Sequence, residues 1–425
     1  MESNGKLNNF YDADYYREFV KIHTFTRSYF VDNSPRFLLS QESRTVQIQN
    51  KSLFYDENLK TRLRNKLDRK LLRIEKLRSK LKSETNELVK NFYLDRLIEE
   101  EGFTNLCLLK TNDNFDNEIH FHEICKINLK PKDEDINKFV NEFIFFINNL
   151  DSSNNEAKAI AQDLNEIITS KFDYKKPEIP SQFLISNKDL SENINRILNK
   201  KEFIELLENK FKELNFQGIA KYKFSKRHIF SVSTISKQLN IPTKLKITYK
   251  KALEILEHEL EVHMVRAING EIFRDRNGCG YKLLQLNSKY SLPIEEGLAI
   301  FKEQNLFYKS NKYDFAQLYR YYARVIGIWL AKNFEPYDVY ENLVKVFTLQ
   351  KILFEPSVDA EVQAKILCKR IFAGFPYPEK GFYNPLVSVY LIGNREVWEM
   401  HEKGFDLEKL MIGKVTPEEL KLINS

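Results

Sequence analysis

The chain has 425 residues, 42% hydrophobic and 30% charged, with a net charge of +6. That balance describes a globular chain with a sizeable core and excludes a disordered or collagen-like one. No uninterrupted apolar stretch is long enough to span a bilayer, residues 1–9 lack an apolar signal core, and the four cysteines are scattered without metal-ligand spacing, so a cytoplasmic chain is expected.

Residues 58–98 read as one long helix, with Leu59, Leu63, Leu67, Leu71, Ile74, Leu77, Leu81, Leu88 and Phe92 at three- and four-residue steps. Within it, residues 60–82 hold eleven Lys/Arg against Asp68 and Glu75, a local charge of +9. An acidic partner is one reading of that segment and a solvated basic face the plainer one. Nucleic acid is disfavoured, because interleaved aromatic residues are missing. Residues 118–125 read as a strand placing His120 and His122 on one face, with no third ligand at a readable spacing. Residues 139–150 are apolar, and Pro177 and Pro180 mark a domain boundary within 174–182. Beyond it, 190–214 reads as helix, 228–235 and 244–249 as strands, 250–268 as a helix and 275–280 as a loop. Helices are expected again over 295–303 and 315–332. No internal repeat or Gly-rich phosphate loop is present.

The chemistry concentrates at residues 258–263, His-Glu-Leu-Glu-Val-His. A carboxylate beside a metal-binding imidazole is what water activation requires. The histidines are five residues apart, not four, so an ideal α-helix splays them by roughly 140°. A π-bulge would return both to one ion. Leu253, Leu256, Leu260 and Met264 form an apolar stripe that packs this helix on a core, and Asn269-Gly270 supplies a stop. A catalytic zinc site needs a third protein ligand. Glu295 and Glu296, just after Pro293, are both available for it. Arg266, three residues after His263, and Arg370 are arginines whose fork could bind a carboxylate in two places, or structural ion pairs. Tyr390 and the 319–322 stretch are aromatic residues for a pocket wall or for plain core.

His258-Glu259…His263…Arg266…Asn269-Gly270, followed by Glu295-Glu296-Gly297-Leu298-Ala299, resembles the QEGLA-motif proteins, relatives of the microtubule-associated tyrosine carboxypeptidases. Weaker matches are Ile241-Pro242, Arg370 with Phe372 and Gly374, Tyr390-Leu391 with Gly393, and Gly413-Lys414; together they span roughly 175–415. The resemblance implies zinc held by His258, His263 and Glu296, with Glu259 as general base and Arg266, Asn269 and Arg370 toward the substrate. Bacterial members usually carry Gln at the position of Glu295, which keeps Glu295 a rival ligand. Ala373 stands where the family tends to have Arg, and 382–385 departs from the family's Phe-Thr-Lys-Asp run.

The expectation is therefore a helix-rich α+β fold with a zinc-peptidase-like core, a small sheet beside the metal helix and an N-terminal helical region. Residues 1–175 form that helical region and 176–425 the catalytic domain. The activity implied by the resemblance is removal of a C-terminal, aromatic residue from a peptide or protein. Two alternatives stay open. One is an amino- or dipeptidyl-peptidase, since dipeptidyl-peptidases share the five-residue histidine spacing; the other is a non-catalytic metal-binding regulator.

Overall fold

The computed structural model describes residues 10–31, 36–49, 57–109, 111, 116–150, 153–177, 196–226, 230–275, 278–307 and 315–424. In chain order the elements are α1 (Ala13–Val31), β1 (Arg36–Ser40), β2 (Thr45–Gln49), α2 (Glu57–Leu81), α3 (Glu87–Leu109), α4 (Asn117–Ile127), α5 (Asp133–Asn148) and α6 (Asn155–Thr169). Then come β3 (Ile197–Leu198), α7 (Lys200–Glu213), β4 (Lys221–Ser225), β5 (Ser231–Ser233), β6 (Gln238–Pro242), β7 (Ile247–Thr248) and α8 (Tyr249–Leu256). A π-helical segment (Glu257–Met264) runs directly into α9 (Val265–Ile272). The chain closes with α10 (Ser291–Phe307), α11 (Phe315–Asn333), α12 (Pro336–Leu353), α13 (Ala360–Ile371), α14 (Val389–Glu402) and α15 (Pro417–Asn424). The fold is α+β and helix-rich, as expected. Among the described residues no helix is long and apolar enough to cross a membrane.

Several local expectations are corrected. The single helix over 58–98 is two helices, α2 and α3, because no apolar residue falls between Leu81 and Leu88. Polar side chains fill that gap: Glu84 accepts from the Asn86 amide (2.7 Å) and Asn86 caps Val89 (3.1 Å). Residues 118–125 lie in α4, whose N-cap Asp116 accepts from Glu118 and Ile119, so His120 and His122 do not share a face. The helix expected from 190 starts at Lys200, where Asn199 and Glu202 form a capping box; 190–195 lie outside the described residues. Most of the 174–182 boundary and residues 228–229 do too. Only Ile247 and Thr248 of 244–249 pair as strand, against Ile197 and Leu198, since Thr248 already caps α8. The sheet beside the helix that carries His258 and His263 is instead β4-β6-β5, parallel between β4 and β6 and antiparallel between β6 and β5. Leu239 and Ile241 of β6 alternate into its buried face.

Two hydrophobic cores position the site. The smaller joins α7, the three-stranded sheet and α8 to Leu260, Met264 and Ile268. The larger draws on α1, α3, α5 and α6 as well as α10–α14, so it includes residues from both sides of position 175. Phe143 meets Tyr319, Phe139 meets Tyr322, and Glu142 of α5 accepts from Nη1 and Nη2 of Arg395, each at 2.9 Å. The π segment thus sits where the two cores meet, its Val262 in the larger and Leu260 in the smaller.

Candidate metal centre

The five-residue spacing of the histidines is resolved by the backbone. Residues 257–264 form a π-helix, whose i to i+5 hydrogen bonds stack residues five apart on one face. The His258 and His263 rings lie 4.9 Å apart, edge to face. Leu260, Val262 and Met264 are fully buried behind them. Lys210 of α7 draws Glu257 (3.0 Å) and Glu261 (2.5 Å) to the other side. Glu259 is left half-buried on the histidine side, within electrostatic reach of Tyr390.

The facing wall is α10. It packs against α14 so closely that a Cβ on Gly297 would stand 2.2 Å from the Gly393 carbonyl oxygen, and one on Gly393 only 1.8 Å from that of Pro293. Only paired glycines permit this crossing. It holds Glu295 and Glu296 at fixed depth. Glu296 Oε2 lies 3.4 Å from His258 Nε2 and 3.9 Å from His263 Nε2. Ligand atoms of His258, His263 and Glu296 all fall within 4.8 Å of one another. Bonds of 2.0–2.1 Å to a tetrahedral zinc would set ligand atoms about 3.3 Å apart, so this trio fits such an ion with little adjustment.

The outer ring nitrogens are also held. His258 Nδ1 bonds Glu303 at 2.6 Å and His263 Nδ1 bonds Glu295 at 2.7 Å, which turns both Nε2 atoms toward Glu296. Glu303 lies seven residues beyond Glu296 on the same face of α10 and receives Arg320 at 2.9 Å. Glu295, fully buried, receives Arg266 (2.8 Å) and Lys414. Charge follows from this packing. Burial opposes a charged His258, but Glu296 and Glu303 outweigh it and push its pKa up to about 10. Burial would raise Glu303, yet Arg320 and His258 draw it down to about 2. Burial is likewise overcome at Glu295, which Lys414 and Arg266 hold well below the usual carboxylate range. Arg266, Lys414 and Arg320 offset Glu295 and Glu303, which leaves the Glu296 carboxylate and two imidazole nitrogens converging, a donor set that suits a buried divalent cation.

The residues expected to face substrate separate. Arg266 is fully buried; beside Glu295 it donates to the carbonyls of Leu410 (3.1 Å), Gly413 (2.8 Å) and Val415 (2.8 Å). Asn269 donates to the Met411 carbonyl at 2.8 Å. Arg370 on α13 lies near Arg324 and Tyr390, and partial burial and the Arg324 charge lower its pKa. Of the aromatic stretch, Tyr319 and Tyr322 turn into the core, to the Val346 carbonyl and Glu142. Tyr321 stacks on Tyr390, centroids 5.8 Å apart and planes 16° from parallel. The charge of Glu296, then burial, pushes Tyr390 up to about 12.

Arg324 was not singled out in the sequence. Its guanidinium lies 4.1 Å above the Tyr390 ring and 5.0 Å from that of Tyr321, and its Nη1 is buried with no hydrogen-bond partner among the described residues. The signal was there: Arg320 and Arg324, four apart, are the charged residues on an otherwise apolar stretch of α11.

Residues 179–425 match the family model described as microtubule-associated tyrosine carboxypeptidase. The chain belongs to that family. The resemblance carried by the His-Glu run and the Glu-Glu-Gly-Leu-Ala segment is thereby borne out. No curated protein and no solved structure matches the chain. Every residue of the centre, from His258 to Lys414, falls inside the family match, whereas α1–α6 precede it.

Proposed function

We propose that the protein is a zinc-dependent carboxypeptidase that removes a C-terminal residue, an aromatic one by family, from a peptide or protein. The observation that carries it is the convergence of His258, His263 and Glu296 from two separate helices, each imidazole backed by a carboxylate. His258, His263 and Glu296 would hold the zinc, which when bound lowers the pKa of water and polarises a scissile carbonyl. Glu259, beside His258 and free of the Lys210 pair, takes the proton from the attacking water and delivers it to the leaving nitrogen. Glu295 and Glu303 fix the imidazoles, so we place Glu295 outside the ligand set. Arg266 and Asn269 make contacts that suit positioning of α9 against 410–415 rather than substrate.

Action at the C-terminus is supported by Arg324 and Arg370. An unsatisfied buried guanidinium nitrogen beside the metal ligands suits a terminal carboxylate, which accepts a two-pronged bond. Tyr321 and Tyr390 supply flat walls for an aromatic side chain. We assign 176–425 as the catalytic domain, with 1–175 sharing its core, and a cytoplasmic location, which the four free cysteines favour.

The test is mass spectrometry of a peptide pool with varied C-termini, with and without chelator. Chelator-sensitive loss of single C-terminal Tyr or Phe is expected. Trimming from the N-terminus, or none in a zinc-loaded sample, would refute the proposal.

A further inference from the structure

The basic segment is not a diffuse cloud of charge. On α2 the cations Arg62, Lys66, Arg69, Arg73, Lys76 and Lys80 are exposed or outward-facing and advance by alternating steps of four and three residues. At 100° and 1.5 Å per residue they keep within about 40° of one line and span about 27 Å. The adjoining face, centred about 100° around the helix, is core: Leu63, Leu67, Ile74, Leu77 and Leu81 are buried. Three cations off the line are paired, Lys60 with Glu57 (2.8 Å), Lys70 with Glu100 (2.6 Å) and Arg78 with Glu75 and Glu101. On the line, Arg62, Arg73 and Lys76 have no carboxylate partner among the described residues, and Arg69 donates to the Asn65 carbonyl. Like charges on one line repel one another, and for Arg62, Arg73 and Lys76 the described residues supply no counter-charge.

We propose that this rail docks an extended acidic segment of a partner polypeptide. At ~3.3 Å per residue, 27 Å corresponds to about eight extended residues. Their alternate carboxylates would recur on one face every ~6.7 Å, within reach of flexible Lys and Arg side chains set ~5 Å apart. A nucleic-acid strand fits less well, since α2 contains no Phe, Tyr or Trp on which bases would stack. A membrane surface fits less well too, because the apolar face of α2 is already buried in the protein and is not free to insert. The rail precedes the family match and does not depend on the metal centre.

The experiment is fluorescence anisotropy of labelled polyglutamate with the full chain, at low and physiological salt. The R69Q/R73Q/K76Q variant removes three rail charges at exposed positions where Gln keeps helix propensity. The K201Q/K212Q/K403Q variant removes three exposed charges elsewhere. The rail variant should bind at least ~10-fold more weakly and lose about half of its salt dependence, with the other unchanged. Equal weakening in both would make this net charge alone and overturn the proposal. So would absence of polyglutamate binding at low salt. Displacement of the peptide by single-stranded RNA or anionic vesicles at lower charge concentration would reassign the surface.

Discussion

The crossing of α10 and α14 sets the geometry of the candidate metal centre, and Gly393→Ala probes it. The added Cβ would stand 1.8 Å from Pro293 O and 2.5 Å from Pro293 C, both backbone atoms that cannot rotate away. Relief to an ordinary contact of ~3.5 Å requires the helices to part locally by roughly 1.5 Å. Overpacking of this kind costs about 1–3 kcal/mol. The larger effect is positional. Glu295, Glu296 and Glu303 all ride on α10, so Glu296 moves relative to the two imidazoles by an appreciable part of that shift. Misplacement near 1 Å in a catalytic constellation costs on the order of 100-fold in rate. Zinc affinity, read by competition with a chromogenic chelator, should fall at least ~10-fold, since tenfold is only ~1.4 kcal/mol of ligand geometry. Gly404→Ala is the control: φ there is +75°, so the backbone is strained, yet the new Cβ meets nothing within 4 Å. That variant should lose stability and keep its zinc. Parent-like zinc affinity and thermal midpoint for Gly393→Ala would refute the crossing as the device that places Glu296.

Three further outcomes are expected. Glu259→Gln should retain zinc by elemental analysis while kcat falls ~10²–10⁴-fold; loss of metal would place Glu259 among the ligands. Arg324→Ala should raise KM for peptides with a free C-terminus far more than it changes melting temperature, while binding of C-terminally amidated peptides stays level; parallel changes in both would remove Arg324 from carboxylate recognition. In acid, Glu100 should matter: burial raises its pKa, but His23 and Lys70 draw it down to about 2. A folded pKa below the unfolded one means stability present above pH ~4.5 and lost as pH falls toward 2, about 3 kcal/mol in all. Glu100→Gln should flatten the acid limb of a melting-temperature profile between those values. An unchanged acid limb would contradict the pairing.

Much of the centre was legible because its signals are local. The His-Glu run lies on one segment, its apolar stripe marks the buried side, and the awkward spacing of five already required the π turn found at 257–264. Glu296 was distinguishable from Glu295 only through the family pattern, because adjacent carboxylates differ by which way the helix is turned. Glu303 and Arg324 were missed for a different reason. Their importance arises from contacts across 45 and more residues, to His258 and to Tyr390, that no window of sequence contains. The parallel pairing of β4 with β6 is equally non-local. The break at 82–86 was misjudged because charged residues continue through it while the apolar ones stop.

The shared core has a consequence for dissecting the protein. A chain cut at residue 178 would keep the whole family-matched region and every proposed ligand, yet lose Phe139, Phe143 and Glu142 from beneath Tyr319, Tyr322 and Arg395, and Asp12 from the amides of Lys282 and Leu283. It would expose a greasy flank of α11 and leave a partly buried arginine without its carboxylate. The edge of sequence likeness is therefore not an edge of cohesion: the family-matched half borrows its solidity from a part of the chain that carries none of the proposed ligands.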